Sequence, residues 1–369
     1  YFEAVSGFTS TGFTIFDNIN HIDQSLILWR SASQWAGGLY FLFSIILLLD
    51  IFDHSFKKSL TNFISFNKAE ILKQSFKIFL LYSLMTLGIF VILNIFEIRM
   101  FNSLNLAMTI ISSGGFLPSN DLSNILINNS QIIVSGILML TSFFSIFLSY
   151  NLIFIKNRNF NFFNEDLHLI LYLFFLIILF FVFFNSDNNF TILFFSLISS
   201  VSNIGFSLYE IPNNLSFIFL ILVIIGGSFF STSSGLRFLK IYSLFKYSIN
   251  EILSYSKPKN VFVNKHLFSN DFFEQNEIYK YFLSIVMFII SLLFLSSVLT
   301  LNGITFENSF KLAVLTLMNT VNSSIYGLGN FSFYDLHFFT KYYLILFMII
   351  GRIELLTLLI ICKKFLFKN

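Results

Sequence analysis

Charged residues are scarce in this sequence, and their scarcity argues against an ordinary water-soluble domain. Asp, Glu, Lys and Arg make up 11% of the 369 residues, whereas about a quarter of a typical soluble domain is charged. Hydrophobic residues reach 56% and the mean hydropathy is +0.79. They lie in long blocks such as 167–184 and 281–301, near the roughly 20 residues with which a helix crosses a bilayer. The chain is therefore predicted to be an all-α integral membrane protein.

Cysteine, clustered histidine and dense positive charge are also lacking. The single cysteine, Cys362, excludes an intramolecular disulfide, and the five histidines are too scattered for a metal-ligand cluster. The net charge of +3 is small, and no basic stretch is interleaved with aromatics, so nucleic-acid binding is not expected. A polytopic membrane enzyme, such as a lipid-modifying transferase, would need titratable side chains collected near one membrane face. They are dispersed, so neither catalysis nor an organic cofactor is expected.

Four polar segments interrupt the apolar blocks in a repeating order. Apolar length predicts seven spanning helices, at about 33–52, 71–96, 128–155, 167–184, 214–246, 278–301 and 341–364. Between them lie stretches too short to span and rich in Ser, Thr, Gly and Asn, namely 2–14, 102–118, 191–207 and 309–329. Each has a short apolar run, a cluster of small polar residues, and then glycine with a bulky residue after it. These segments are predicted to be re-entrant loops.

The repeat predicts four helix, pore loop, helix units around one central ion pore, with the first outer helix missing. The sequence begins at Tyr1 without an initiator Met, which fits the expectation of a truncated N-terminus. The units are predicted at 1–53, 54–158, 159–246 and 279–369, with a cytoplasmic linker at 247–278. Lys and Arg concentrate between the units and at the C-terminus, which places the linkers and C-terminus in the cytoplasm and the loops outside. The expected location is the cell inner (plasma) membrane.

Loops of this kind can carry cations. Irregular backbone at membrane depth is tolerated only where protein buries it or where it lines a watery cavity. Carbonyl rings can replace the hydration shell of a monovalent cation, and glycine lets the backbone aim carbonyls at an axis. Short helices ending at each polar cluster would also direct their partly negative C-termini towards the ion.

The loop sequences resemble the Trk/Ktr/HKT superfamily of potassium and sodium transporters, over nearly the whole chain. Residues 2–12, Phe-Glu-Ala-Val-Ser-Gly-Phe-Thr-Ser-Thr-Gly, resemble its first pore helix and filter, and Arg30 with 34–38 resembles the start of the next helix. Residues 112–116 and 203–206 resemble its second and third filters. The resemblance implies potassium ion at these filter residues: Ser10, Thr11, Gly12, Ser113, Gly114, Gly115, Asn203, Ile204, Gly205, Ser323, Ser324 and Ile325.

The fourth filter departs from the family pattern. Aligning 321–325 with 201–205 puts Ile325 where glycine is expected, whereas Gly327 would demand a two-residue shift. We favour the unshifted alignment. A β-branched residue disfavours positive φ, so Ile325 would alter carbonyl geometry and weaken the selection of potassium over sodium. A sodium-permeable or weakly selective member of the superfamily is therefore the alternative.

Two further segments resemble the gating elements of the family. Small residues interrupt a long apolar stretch, which would either break a helix beneath the filter or pack helices closely. The resemblance implies an intramembrane gating loop, with Gly226, Gly227, Ser231, Thr232, Ser233, Ser234 and Gly235. Arg352 lies inside the last apolar block, where a charge costs roughly 2.5 to 3.5 kcal/mol on insertion scales. It either pairs with Glu354 or a polar loop or, as the resemblance implies, faces the pore and opposes a passing cation.

The resemblance also implies partners. These are a second copy of the chain in a homodimer, and a separate cytoplasmic nucleotide-binding subunit. The basic linkers are a landing surface for that subunit or an anchor on the membrane surface. A secondary transporter with inverted repeats is a rival class, because its broken helices resemble these segments. Inverted repeats would place the loops on both membrane sides, whereas the charge pattern places all four on one.

Overall fold

The computed structural model describes residues 1–52, 68–146, 163–184, 190–209, 213–255, 275–329 and 331–353. Within these ranges the chain is helical, and its extended pairing is limited to one isolated bridge between Ile225 and Leu236. The α-helices are α1 (Phe2–Phe8), α2 (Gln24–Phe52), α3 (Lys68–Ile95), α4 (Met100–Ile111), α5 (Asn129–Phe143), α6 (Phe163–Phe184), α7 (Phe190–Val201), α8 (Asn213–Ile224), α9 (Phe238–Ser254), α10 (Gln275–Leu301), α11 (Phe306–Leu317) and α12 (Phe338–Ile353). The predicted all-α fold class is confirmed.

The helices repeat as a long outer helix, a short helix and an inner helix. Helices α4, α7 and α11 are each 12 residues long, about 18 Å at 1.5 Å per residue and too short to cross a bilayer. The outer helices before them contain the three described segments that are long and apolar enough to span, Ser75–Ile95, Glu165–Phe183 and Ile278–Leu301. Helices α1 and α2 are the short and inner helices of the first repeat.

The outer helices present apolar side chains to their surroundings. On α6, Phe174, Phe175 and Val182 are each more than half exposed. A patch of this size on a water-soluble protein would promote aggregation, whereas lipid solvates it without cost. The exterior of the molecule is therefore suited to a bilayer.

The repeats pack in a closed ring. The inner helix of each repeat contacts the short helix of the next repeat, α2 against α4, α5 against α7 and α8 against α11. Helix α12 then contacts α1, which joins the last repeat to the first. The C-terminal ends of the four short helices are thereby brought to a common centre.

The inner helix of the third repeat is interrupted, as the small residues predicted. Helix α8 ends at Ile224 and α9 begins only at Phe238, so the stretch predicted at 214–246 is two helices with a loop between them. Helix α9 continues to Ser254, into the predicted linker. The predicted unit boundaries near 53 and 158, most of the linker, Glu354 and Cys362 lie outside the described residues.

Candidate ion-conducting site

Each short helix ends in the same backbone turn. The second residue beyond the helix has a left-handed backbone, with φ of 56° at Ser10, 54° at Ser113, 58° at Asn203 and 48° at Asn319. In all four repeats, the N–H of this residue donates to the carbonyl three residues before it. The N–H of the following residue donates to the carbonyl five residues before that following residue. This pair of bonds is a Schellman cap, which satisfies free carbonyls at a helix end. Asn accepts the left-handed conformation better than most side chains.

The shared turn gives the register of the four central loops, which we define as residues 9–13, 112–116, 202–206 and 318–322. Two residues after the left-handed position come Gly12, Gly115 and Gly205 in the first three loops. The same position in the fourth loop is Val321. The alignment that equated Ile325 with Gly205 is therefore wrong by four residues, because it did not locate the end of the fourth short helix.

The residues predicted for the fourth filter lie beyond its central loop. Ser324 and Ile325 belong to a 3-10 turn, Ser324–Tyr326, for which Ser323 is the N-cap. The side chain of Ile325 is fully buried. Gly327, the other candidate, closes this turn with a left-handed φ of 70°. Neither occupies the position of the glycines in the other three loops.

The four central loops meet closely. A Cβ added at Gly12 would lie 2.5 Å from Cα of Gly115, and one added at Gly205 would lie 2.8 Å from the Val321 carbonyl oxygen. One added at Gly115 would collide with the Val321 side chain. Real Cβ atoms do not approach other atoms this closely, so the three positions require glycine.

Side chains at the left-handed turns link consecutive loops. Asn319 Nδ2 donates to Thr11 Oγ1 at 2.9 Å, and Asn203 Nδ2 lies 3.3 Å from Thr320 Oγ1. Between the second and third loops, Ser113 Oγ donates to the Ser202 carbonyl at 2.6 Å. Together with the close approach of the first and second loops, these bonds complete a ring. Predicted filter residues from the first three repeats therefore lie together, joined by Asn319, Thr320 and Val321 rather than by 323–325.

A buried ion pair holds the first central loop in place. Glu3 on α1 accepts a bond from Arg30 Nε at 2.8 Å, and both side chains are less than a tenth exposed. The same carboxylate accepts bonds from Thr14 Oγ1 and the Ile15 N–H, just past Gly12. The Arg30 guanidinium also lies over the Phe116 ring, with 4.2 Å from Cζ to the centroid. The pair thus connects the first loop, α2 and the second loop.

The loop at 225–237 lies beside the short helices and carries the predicted gating residues. Gly226 and Gly227 have backbone or side-chain atoms where a Cβ would stand, and Gly235 has φ of 87°. Thr232 Oγ1 donates to the carbonyl of Ile111, the last residue of α4, at 2.7 Å. The N–H groups of Ser228 and Ser233 bond the carbonyls at the end of α5. These contacts satisfy backbone groups that lipid would leave unpaired.

Two buried arginines hold the 225–237 loop. Arg237 Nη1 donates to the carbonyls of Ser228, Ser231 and Ser233, at 3.0 to 3.4 Å. Arg352 on α12 donates from Nη1 to Ser234 Oγ at 2.6 Å and from Nη2 to Ser10 Oγ at 3.3 Å. It is 7% exposed. One guanidinium therefore connects this loop with the turn of the first central loop, and the predicted alternative partner Glu354 lies outside the described residues.

Sequence reasoning missed an acidic pair that supports the same loop. Glu165 and Asp166, at the start of α6, are each 2% exposed. Glu165 accepts bonds from Ser228 Oγ and the Phe229 N–H, and Asp166 accepts one from the Ser145 N–H. The signal for this pair in the sequence was two adjacent carboxylates at the edge of an apolar block. Such groups are rarely buried without partners, so their position indicated bonds to a neighbouring element.

Comparisons with known proteins find similarity to cation transporters. A family model described as TrkH, cation transport protein, matches residues 185–367. An uncharacterized cation transporter of Methanocaldococcus jannaschii is 26% identical over 72% of this chain and 56% of its own length. The Trk system potassium uptake protein TrkG of Escherichia coli is 22% identical over 100% of this chain and 78% of its own. The crystal structure of the potassium transporter TrkH from Vibrio parahaemolyticus has the same fold, with a TM-score of 0.82 at 19% identity, covering 98% of this chain and 77% of that one.

The fold and these loops define the class of protein. It is a helical membrane protein in which four re-entrant loops meet inside a ring of helices. The TrkH family model over residues 185–367, the TrkG relative and the TrkH structure together support a TrkH-like protein of the Trk/Ktr/HKT superfamily. The matched family and both relatives are described as transporters or uptake proteins and not as enzymes. The chain spans just over half the length of the archaeal relative.

Proposed function

We propose that the chain conducts monovalent cations across the membrane, potassium foremost, along the axis on which the four central loops meet. Backbone carbonyls of these loops, around Gly12, Gly115, Gly205 and Val321, would replace the water of the hydrated ion. No covalent chemistry is involved. The supporting observation is the single backbone turn repeated at Ser10, Ser113, Asn203 and Asn319, which directs four helix C-termini at one centre.

The gate of this pathway is proposed to be the 225–237 loop together with Arg352. The loop contacts the end of α4 through Thr232, and Arg352 connects Ser234 with Ser10. A cation leaving the central loops would meet a buried positive charge, which raises the barrier to passage because like charges repel strongly where water is excluded. Displacement of the 225–237 loop and of Arg352 would open the pathway.

A sodium-permeable or weakly selective pore is the second candidate. The observation that favours it is Val321, because the fourth central loop lacks the glycine of the other three. Unequal loops give an unequal carbonyl ring, and selection between potassium and sodium depends on that ring.

The remaining proposals follow from charge and family resemblance. The inter-unit linkers and C-terminus are assigned to the cytoplasm and the central loops to the outer side of the inner (plasma) membrane, within units at 1–53, 54–158, 159–246 and 279–369. TrkG is named as a potassium uptake protein of the Trk system, and TrkH is named as a potassium transporter. A homodimer and a separate cytoplasmic nucleotide-binding subunit are proposed on that resemblance.

Growth of a potassium-uptake-deficient bacterium tests the proposed function. Expression of the full-length gene should restore growth on limiting potassium, and excess sodium should leave that growth largely intact. Restoration that excess sodium abolishes would favour the weakly selective pore. Failure to grow, with the protein present in the membrane and the regulatory subunit co-expressed, would contradict cation uptake.

A further inference from the structure

Asparagine takes the place of serine at the left-handed turn of two of the four central loops. Asn203 and Asn319 stand where the first two loops have Ser10 and Ser113, and both asparagine side chains are fully buried. All four positions have nearly the same positive φ, so the turn itself does not require the longer side chain. The asparagines therefore serve contacts beyond their own turns.

The asparagine amides reach backbone carbonyls of the inner helices. Asn203 Nδ2 donates to the carbonyl of Val223, in the last turn of α8, at 2.7 Å. Asn319 Nδ2 donates to the carbonyl of Met348 on α12 at 2.8 Å. The third and fourth central loops are thus bonded to the inner helices of their own repeats as well as to neighbouring loops.

The two inner helices bonded in this way carry the elements of the proposed gate. Helix α8 leads into the 225–237 loop, and Val223 lies two residues before that loop begins. Helix α12 carries Arg352, and Met348 lies about one helical turn before it. The inner helices of the first two repeats, α2 and α5, carry neither element. Asparagine therefore occurs in the two central loops whose inner helices lead to the gate.

The bond to Val223 depends on the break in the inner helix of the third repeat. In a continuous helix this carbonyl would accept from the N–H of Gly227. In the structure the Gly227 N–H donates instead to Ser233 Oγ at 3.0 Å, within the 225–237 loop. Asn203 supplies a donor for the carbonyl that the break leaves free. A rearrangement of the loop that moves Val223 would therefore break a bond that positions the third central loop.

We propose that Asn203 and Asn319 are positioning residues that couple the central loops to the gate, so that filter and gate change state together. This inference rests on the proposed cation conduction and on the proposed gate. The two bonds stabilise the arrangement in which the 225–237 loop and Arg352 lie against the central loops. Coupling of this kind is reciprocal: opening of the gate loosens the third and fourth central loops, and a shift of those loops favours opening.

Serine substitutions test the coupling, because Ser10 and Ser113 show that serine accepts this turn. Asn203→Ser and Asn319→Ser remove the bonds to the inner helices and should favour the open gate. The initial rate of rubidium uptake by cells that express the full-length protein should rise about threefold in each variant, since the net contribution of a neutral hydrogen bond corresponds to about that factor in an equilibrium.

Double variants with Arg352→Ala separate coupling from damage to the filter. Arg352→Ala already favours the open gate, so adding Asn203→Ser to it should raise uptake by less than about 1.5-fold. Damage to the filter would instead lower uptake by the same factor in both backgrounds. Thr320→Val removes the hydroxyl 3.3 Å from Asn203 Nδ2 and leaves the bond to Val223, so it should not reproduce the rise.

Asn105→Ser is the matched control. Asn105 is fully buried on α4, and its Nδ2 donates to the Phe101 carbonyl of the same helix at 2.7 Å. The substitution removes the same amide group without breaking a bond between a central loop and an inner helix. Rubidium uptake should therefore match that of the wild type at equal expression.

The outcomes separate this inference from the proposed function. A rise in uptake in Asn203→Ser and Asn319→Ser that disappears in the Arg352→Ala background supports the inference. Uptake at or below the wild-type level in either serine variant, at normal expression, overturns it and leaves the proposed function intact. A rise of the same factor in both backgrounds also overturns it, because the bonds would then act independently of the gate. A wild type with no uptake above empty-vector cells overturns both.

Discussion

The central loops and the 225–237 loop are both irregular backbone inside a helical membrane protein, but they are held in different ways. Each central loop is capped by its own short helix through two backbone bonds, and side chains such as Asn319 then join it to the next loop. The 225–237 loop instead takes bonds from α4, α5, α6 and α12, through side chains such as Thr232 and Arg352. The geometry of each central loop is fixed by its own short helix, whereas the geometry of the 225–237 loop depends on bonds from other helices.

This difference suits the proposed roles. A filter needs carbonyls fixed within fractions of an ångström, which a cap formed within the helix supplies. A gate needs a second arrangement that is not much higher in free energy, and an element held by separable contacts can reach one. Substitutions at the glycines of the central loops should therefore lower transport strongly, whereas those around the 225–237 loop should increase it.

Gly12→Ala should have the largest effect. Its φ of 80° disfavours an L side chain by roughly 1–2 kcal/mol, and the new Cβ would meet the Gly115 backbone at 2.5 Å. Rubidium uptake should fall at least about tenfold. The control is Gly303→Ala, because Gly303 also has a positive φ but no atom within 4 Å of an added Cβ. Equal losses of uptake in both variants would show that backbone strain, and not the meeting of the central loops, matters.

Arg352→Ala should increase uptake, whereas Gly12→Ala should decrease it. Removing the guanidinium takes away a buried positive charge and the bonds to Ser234 and Ser10. Uptake should increase about threefold to tenfold, since an unfavourable interaction of 0.7 to 1.4 kcal/mol is about that factor in rate. Arg352→Lys keeps the charge but replaces the two donating nitrogens with one, so its uptake should lie between that of the wild type and that of Arg352→Ala. Unchanged uptake in Arg352→Ala at normal expression would remove Arg352 from the gate.

Glu165→Gln should have an intermediate effect. The amide nitrogen cannot accept a bond, so a single oxygen must then accept from both Ser228 Oγ and the Phe229 N–H, which the two carboxyl oxygens now share. We expect a loss of about 1–2 kcal/mol in stability and a small increase in uptake. The detergent-solubilised protein can be compared by thermal unfolding with Glu307→Gln, at an exposed carboxylate paired with Lys311. Equal unfolding temperatures would contradict the supporting role of Glu165.

Thr232→Val should have the smallest effect. The substitution keeps the shape of the side chain and removes the hydroxyl contacts with the carbonyls of Ile111 at 2.7 Å and Ser142 at 3.4 Å. The expected cost is about 1 kcal/mol, with uptake raised by no more than about twofold because Arg237 and Glu165 still hold the loop. Thr141→Val, in which a helical hydroxyl bonds its own helix at Leu138, is the control. A larger rise than for Arg352→Ala would reverse the order of importance given above.

Much of the architecture could be predicted from the sequence. Apolar blocks predicted the outer helices. Repeated clusters of glycine and hydroxyl residues predicted three of the central loops, and small residues predicted the break at 225–237. The fourth loop was misplaced because its serines and glycine resemble a filter more than Asn319, Thr320 and Val321 do. Asn319 lies 13 residues after the first residue of its short helix, as Ser113 and Asn203 do in theirs, so the position of the helix start would have located it.

The sequence by itself determined that lipid surrounds the protein, where its helices lie, and that four units repeat. It could do so because hydrophobic length and helix-ending residues act over a few turns of chain. Only the tertiary structure decided which residues meet: Val321 with Gly115, Arg352 with Ser10, and Glu165 with Ser228. These contacts join residues 63 to 342 positions apart. Such pairings depend on how the helices close into a ring, and local propensity contains no information about that closure.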